Sequence, residues 1–116
     1  MEKILEVSLL YDFYGELLTN KQKLIFEMKY LNDFSFSEIG ENLGISRQAA
    51  FDQLQRTEKI LNEYEEKLKL VSKFIEEKKL LSEIKLIISD IENSPDNKEI
   101  HKNIKRLKKI SDKILL

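Results

Sequence analysis

The stretch of residues 35–57 constrains the fold more than any other part of the sequence. Ser35 followed by Glu38 matches a capping box, in which a hydroxyl and a carboxylate satisfy free amides at the start of a helix. Gly44 can adopt the positive φ that ends this short helix, and Ser46 can cap a second helix directly after it. A helix, a glycine-containing turn and a capped second helix together predict a helix-turn-helix.

Two further helices are predicted before this motif. Apolar side chains recur at helical spacing over residues 3–18, and Thr19 with Gln22 forms a second capping box for a helix over residues 20–31. A break at residues 32–33 then leads into the motif, so the helices form a compact bundle. Aromatic side chains on neighbouring helices usually pack together. We therefore expect the core to contain the rings of Tyr11, Phe13, Tyr14 and Tyr30, with the tyrosine hydroxyls at the surface.

The helix that begins at Ser46 has no glycine or proline to stop it, and a kink or short break is expected only near residues 70–79. Its apolar positions alternate three and four apart, which is the spacing of a heptad seam with one polar interruption. The seam can pack on other helices of the same chain or on a second copy, and both alternatives stay open. Its members are Leu54, Thr57, Leu61, Tyr64, Leu68, Val71 and Ile75.

A basic amphipathic helix is predicted over residues 97–116, after a turn at residues 93–97. Its apolar stripe includes Ile100, Leu107 and Ile110. Such a helix can cover the acidic part of its own chain, bind RNA or a protein, or lie on an anionic membrane. Its basic side chains are those of Lys98, Lys102, Lys105, Arg106, Lys108, Lys109 and Lys113.

The composition supports an all-α fold, because 35% of the residues are charged and the 116 residues include only 3 Gly and 1 Pro. Residues 1–70 are predicted to form the helix-turn-helix bundle. Residues 71–116 are predicted to form a long helical extension that ends in the basic helix. We also expect a homodimer, because a core of this size is modest.

Enzymatic activity is not expected, because no glycine-rich phosphate loop, nucleophile–base pair or metal constellation is present in the sequence. No cofactor is predicted. Paired carboxylates such as Glu65 and Glu66 read as solvated side chains on exposed helix faces. No apolar run is as long as a membrane span, and the first residues do not resemble a signal peptide. The expected location is therefore the cytoplasm.

The charge is distributed unevenly along the chain. Residues 1–66 carry 7 Lys and Arg against 13 Asp and Glu, whereas residues 67–116 carry 13 against 8. A motif that binds duplex DNA usually lies in a basic surface, because neutralisation of phosphates supplies much of the affinity. Here the helix-turn-helix lies in the acidic half, which argues against a strong reader of duplex DNA.

Five separated blocks lie at residues 11–14, 17–22, 30–33, 46–52 and 56–61. In their residues and their order they resemble the small YlxM proteins of Gram-positive bacteria and mollicutes. The resemblance covers about the first two thirds of the chain, and beyond Lys73 the sequence departs from the family's pattern. Because the blocks occur in the same order as in the family, the resemblance is specific.

This resemblance implies a fold like the last DNA-reading region of the major bacterial sigma factors, which is a tetra-helical helix-turn-helix. It also implies a non-enzymatic regulator or accessory protein of the signal recognition particle pathway, with the particle's GTPase, its RNA or both as partners. Neither composition nor spacing indicates this pathway independently. The alternative function is a DNA-binding transcriptional regulator that reads bases through the helix at residues 46–57.

The candidate contact residues on that helix depart from those of a sigma-type reader, which presents Arg, Glu and Gln to base edges. Phe51 lacks the hydrogen-bonding groups needed for guanine, and Asp52 has the wrong charge for phosphate. Phe51 can instead stack on a base, dock on a protein, or be buried against Tyr64 or a second copy. The candidate residues here are Arg47, Gln48, Phe51, Asp52, Gln55 and Arg56.

A second candidate surface is the basic helix. In the targeting-pathway hypothesis the acidic motif half faces the GTPase, and the helix over residues 97–116 follows RNA phosphates. The candidate residues on it are Lys102, Lys105, Arg106 and Lys109.

Overall fold

The computed structural model describes residues 3–94 and 96–115, and within them the chain forms six α-helices, one 3-10 turn and no strand. The all-α fold class is confirmed. No helix among these residues has an apolar stretch that could cross a membrane. The helices are α1 (Lys3–Tyr14), α2 (Asn20–Tyr30), α3 (Phe36–Leu43), α4 (Arg47–Leu68), α5 (Leu70–Asn93) and α6 (Asn97–Leu115), and the 3-10 turn is Gly15–Leu17.

The chain divides into two compact units, with the boundary between Val71 and Ser72. The first unit, here called the motif unit, contains α1 to α4 and the first residues of α5. The second, here called the hairpin unit, contains the rest of α5 and all of α6. Each unit is described by itself below.

The turn between α3 and α4 has the geometry that the sequence predicts. Gly44 has φ 68°, and the amide of Ile45 donates to the carbonyl of Gly40 over 2.9 Å, as in a Schellman motif. A Cβ at Gly40 would lie 2.6 Å from the carbonyl oxygen of Ile45, so the chain can pass this closely only beside a glycine. Ser46 then caps α4 by accepting from the amide of Ala49 over 3.0 Å.

Both predicted capping boxes are formed. The Thr19 hydroxyl accepts from the amide of Gln22 at the start of α2, and the Gln22 side chain accepts from the amide of Thr19 in return. Ser35 and Glu38 make the same reciprocal pair at the start of α3. Hydrogen bonds from the amide and hydroxyl of Ser35 lower the pKa of Glu38.

Helix α4 is the centre of the motif unit, since α1, α2 and α3 all contact it. Leu54, Thr57 and Leu61 are each at most 4% exposed. This part of the predicted seam therefore faces the chain's own bundle, and the alternative in which it faces a second copy is wrong. The buried apolar residues of the unit are Val7, Leu10, Tyr14, Leu18, Ile25, Phe26, Met28, Ile39, Ala50, Leu54, Leu61 and Val71.

The first helix is shorter than predicted, because α1 ends at Tyr14 rather than near residue 18. Gly15 begins the 3-10 turn, in which the amide of Leu18 donates to the carbonyl of Gly15 over 3.0 Å. The apolar periodicity continues through this turn, which is why the sequence pattern overestimated the helix. The early end leaves Thr19 in the extended conformation that a cap requires.

The break between α4 and α5 lies at Lys69, one residue before the predicted range, and Lys69 has φ 57°. The amide of Leu70 donates to the Tyr14 hydroxyl over 3.0 Å, and the amide of Val71 donates to the Glu65 carboxylate over 2.9 Å. Two of the free amides at the start of α5 are thus satisfied by side chains from α1 and α4.

The expectation that the tyrosine hydroxyls lie at the surface is wrong for Tyr14, which is fully buried and donates to Glu65 over 2.6 Å. Burial, followed by this hydrogen bond, raises the pKa of Tyr14. Glu65 is correspondingly half-buried and is not the solvated side chain that the sequence suggested. A buried hydroxyl needs a partner, and here the partner is a carboxylate.

Two other tyrosines of the motif unit make the same kind of bond. Tyr11 donates to Glu27 over 2.7 Å, and Tyr30 donates to Glu58. Burial and the bond to Glu27 raise the pKa of Tyr11 to about 12. Some of the acidic side chains of residues 1–66 therefore accept hydrogen bonds from tyrosine hydroxyls within the motif unit.

The hairpin unit has its own small core between α5 and α6. Leu80 and Ile87 of α5 and Ile110 of α6 are each at most 6% exposed. Ile84, Ile91 and Leu107 pack against them. The apolar stripe of the basic helix thus packs on α5, which leaves the opposite side of α6 to solvent.

Candidate nucleic-acid interfaces

The structure brings the six candidate residues of α4 to one exposed side of the helix. The opposite side is buried through Ala50, Leu54 and Thr57. Because positions three and four apart lie on one face of a helix, the exposed residues form a continuous strip, here called the recognition face. It consists of Arg47, Gln48, Phe51, Asp52, Gln55 and Arg56.

Gln48 is engaged within this face, since its side-chain nitrogen donates to the Asp52 carboxylate over 3.0 Å. A glutamine that reads adenine needs both its donor and its acceptor for the base. The bond to Asp52 competes for the donor, and the carboxylate repels phosphate. The centre of the recognition face is therefore poorly suited to reading duplex DNA.

Phe51 packs on Phe36 of α3, with ring centroids 5.2 Å apart in an edge-to-face arrangement. The prediction that Phe51 is buried against Tyr64 is wrong. Tyr64 lies near the other end of α4, one turn beyond Leu61, and its ring stacks on that of Tyr14 with a centroid distance of 5.9 Å. Phe51 remains 38% exposed. It forms a recess of about 390 Å³ together with Phe36, Arg47 and Gln48.

A cation covers the other partner of this aromatic pair. The ammonium group of Lys29 lies 4.5 Å from the centroid of the Phe36 ring, and it donates to the carbonyl of Phe34 over 3.4 Å. Lys29 is thereby held by the first residue of α3 and by the loop before it. Its contribution to the recess is to hold the Phe36 ring.

The structure also places the four candidate residues of α6 on one exposed side. Lys102, Lys105, Arg106 and Lys109 are all exposed, whereas Ile110 and Leu107 on the other side pack on α5. We call this exposed side the basic face. Helix α6 carries 7 Lys and Arg but only two acidic residues, Glu99 and Asp112, so the basic face has a clear excess of positive charge.

One feature of α6 was missed by sequence reasoning. Asn103 stands within the apolar stripe, is 5% exposed, and accepts a hydrogen bond from Arg106 Nη1 over 3.1 Å. The signal was present as a polar residue between Ile100 and Leu107 at helical spacing. It could not be interpreted without knowing that Arg106, three residues on, would turn back towards it.

Among the residues that the structure describes, no group of His, Asp and Glu side chains could hold a metal ion.

The fold and these faces define an all-helical protein of the helix-turn-helix class. A family model described as "Putative helix-turn-helix protein, YlxM / p13 like" matches residues 1–104. The chain belongs to this family, UPF0122. The match extends through α5 and into α6, so the expectation that the resemblance stops after about two thirds of the chain is wrong.

Individual relatives cover almost the whole chain. The UPF0122 protein OB1530 of Oceanobacillus iheyensis is 45% identical over 108 residues, which are 93% of this chain and 96% of that protein. UPF0122 proteins of Bacillus cereus and Bacillus anthracis are 41% identical over 110 residues, 95% of this chain and 98% of theirs. The aligned residues therefore extend over both units of this chain.

Proposed function

We propose that this protein is a non-enzymatic accessory of the signal recognition particle pathway in the cytoplasm, and that it binds the particle's RNA through the basic face of α6. The resemblance to the YlxM proteins implies the pathway. One observation supports RNA binding: the apolar and the basic side chains of α6 lie on different sides of the helix. The apolar side packs on α5, and the other side exposes Lys102, Lys105, Arg106 and Lys109 together.

The spacing of the basic face suits a phosphate backbone. A helix rises about 1.5 Å per residue, so the cations between Lys102 and Lys109 extend over roughly 10 Å and can meet more than one phosphate. Double-stranded RNA is recognised largely through its backbone and its shape, because its deep groove is too narrow for side chains. Binding of this kind releases counterions and weakens steeply with salt.

The motif unit supplies a second surface in this proposal, one that faces the particle's GTPase. Glu27, Glu58 and Glu65 are engaged by tyrosines, but other acidic side chains remain exposed on α3 and α4 and can meet a basic protein surface. Complementary charge of this kind increases the association rate and the specificity more than the final affinity. These exposed residues include Glu38, Glu41, Asp52, Glu63 and Glu66.

The test is binding of the full chain to the particle's RNA, to its GTPase and to a pool of random DNA duplexes, at roughly physiological salt. A variant with Lys102, Lys105 and Lys109 changed to Gln is compared with a control in which the exposed Lys21, Lys59 and Lys85 are changed to Gln. Both variants have the same net charge. We expect the first to lose about tenfold or more in RNA affinity and the control less than about twofold.

Equal losses in the two variants would mean that only net charge matters, and the basic face would then not be the RNA site. Binding to neither the RNA nor the GTPase would overturn the proposal as a whole. A decrease in the slope of affinity against salt for the first variant, with no change in the control, would support direct contact with phosphates.

Reading of duplex DNA through the recognition face is a second candidate, favoured by the helix-turn-helix geometry and by the exposure of Arg47, Gln55 and Arg56. If one duplex sequence is enriched from the pool, Gln48→Ala should weaken its binding by about 1–3 kcal/mol. Asp52→Asn should strengthen binding to all duplexes, because it removes a negative charge from the face. An unchanged affinity of Gln48→Ala would argue against base reading.

The homodimer stays a prediction. Leu54, Thr57 and Leu61 cannot supply its interface, because they are buried inside the motif unit. Light scattering after size exclusion will distinguish a monomer of 13.8 kDa from a dimer of twice that mass.

A further inference from the structure

A recess opens in the hairpin unit between the end of α5 and the first turns of α6. It has a volume of about 430 Å³, which lies within the range of sites for small molecules. Asn103 lies at its buried side, where it holds Arg106 through the 3.1 Å hydrogen bond. Its lining combines cations, carboxylates and amides from Asp90, Asn93, Glu99, Lys102, Asn103 and Arg106.

This mixture of charges excludes a simple anion site. A phosphate attracted by Lys102 and Arg106 would also meet the carboxylates of Asp90 and Glu99. A ligand satisfies all four groups only if it presents an anion on one side and hydrogen-bond donors on the other, because carboxylates accept and do not donate. A nucleotide has these properties, since its phosphate is anionic and its base edge carries N–H groups.

We propose that this recess binds an unpaired guanine nucleotide of an RNA. Lys102 and Arg106 contact the phosphate, while Glu99 and Asp90 accept from the base. Guanine is the natural occupant because its Watson–Crick edge carries N–H donors on both N1 and N2. The other bases carry fewer N–H donors on that edge. Unpaired bases are the parts of RNA that proteins usually read in this way.

Asn103 acts as a positioning residue in this site. Its side-chain oxygen holds one nitrogen of the Arg106 guanidinium and leaves the others free for phosphate, and a fixed planar fork binds phosphate better than a mobile one. A buried polar residue in a small apolar core is otherwise unfavourable. The hydrogen bond to Arg106 explains why asparagine can stand at this position.

The inference rests on the proposed RNA binding and adds a preference for one kind of nucleotide. The test uses the full chain and a short RNA stem with one bulged nucleotide, G, A, C or U, or with no bulge, followed by fluorescence anisotropy at physiological salt. The bulged G should bind about fivefold or more tightly than the fully paired stem, and the other bulges should bind less tightly than G.

Two variants locate the preference. Glu99→Gln removes a negative charge from the surface. If general attraction between cations and phosphates were the only effect, this variant would bind RNA more tightly. The proposed site predicts instead that the preference for G falls to about twofold or less. Asn103→Leu keeps the charge and should also reduce the preference. Lys109→Gln is the control, because Lys109 lies on the basic face but outside the recess, and it should weaken binding to all five RNAs equally.

The outcomes separate this inference from the proposed function. If no RNA binds, the proposed function fails. If the RNAs bind with equal affinity, or if the preference for G survives Glu99→Gln, RNA binding stands and the guanine site is overturned. Circular dichroism shows whether Asn103→Leu keeps its helices, and Glu99→Gln, which changes an exposed side chain, decides the matter if it does not.

Discussion

The hydroxyl of Tyr14 lies 2.6 Å from the carboxylate of Glu65, although 51 residues separate the two in sequence. The same hydroxyl accepts from the amide of Leu70, and the same carboxylate accepts from the amide of Val71. A side chain of α1 and one of α4 thus provide the cap of α5. The place where the long helical region breaks is set by this pair and not by a local stop signal.

Tyr14→Phe should destabilise the motif unit by about 1–3 kcal/mol, because it leaves buried hydrogen-bonding groups of Glu65 and Leu70 without this partner. Urea unfolding followed by circular dichroism measures the loss. Tyr64→Phe is the matched control, since the half-exposed Tyr64 ring contacts Tyr14 by stacking, and it should change stability by less than about 0.5 kcal/mol. Equal losses would show that the Tyr14 hydroxyl has no special role.

Lys69→Gly should stabilise the protein modestly. The left-handed conformation of Lys69, with φ 57°, costs a residue with a Cβ about 1–2 kcal/mol. Glycine avoids this cost, but its more flexible unfolded state offsets roughly 0.5–1 kcal/mol of the gain in stability. We expect a net gain of about 0.5–1 kcal/mol in urea unfolding. Lys69→Ala keeps the Cβ and should show no such gain, and a gain in both variants would contradict the explanation.

Gly40→Ala and Gly44→Ala should differ in severity. A Cβ at Gly40 would lie 2.6 Å from a backbone oxygen, whereas one at Gly44 meets nothing within 4 Å and costs only the left-handed conformation. We expect a loss of about 1–2 kcal/mol for Gly44→Ala and a larger loss for Gly40→Ala, since the backbone of the turn must move. Thermal unfolding of the two variants gives the order, and the reverse order would mean that the turn is looser than described.

The stability of the motif unit should fall in strongly alkaline solution. Tyr11 has a pKa raised to about 12, mainly by burial and by its bond to Glu27, whereas an unfolded tyrosine has a pKa near 10. The stabilisation is therefore fully present below about pH 10 and is lost as pH rises towards 12. Tyr11→Phe should be less stable near pH 8 but should lose less between pH 10 and 12, and an unchanged slope would count against the bond to Glu27.

Much of the fold follows from local sequence. The capping residues Thr19, Ser35 and Ser46 act on amides three residues away, and Gly44 ends α3 through its own φ. Such signals are complete within a few residues, so the helix-turn-helix and the all-α class could be predicted directly. The exposure of the candidate residues on α4 and α6 also followed from helical periodicity.

Other features depend on residues that meet only after folding. The sequence could not indicate that Lys69 would leave the helix, because the partners of the following amides come from Tyr14 and Glu65. Nor could it show that Phe51 would pack on Phe36, or that Asn103 would hold Arg106 beside a recess. Periodicity assigns a residue to the inside or the outside of a helix, but the choice of partner across helices is made by tertiary packing, and it is this choice that shapes both candidate sites.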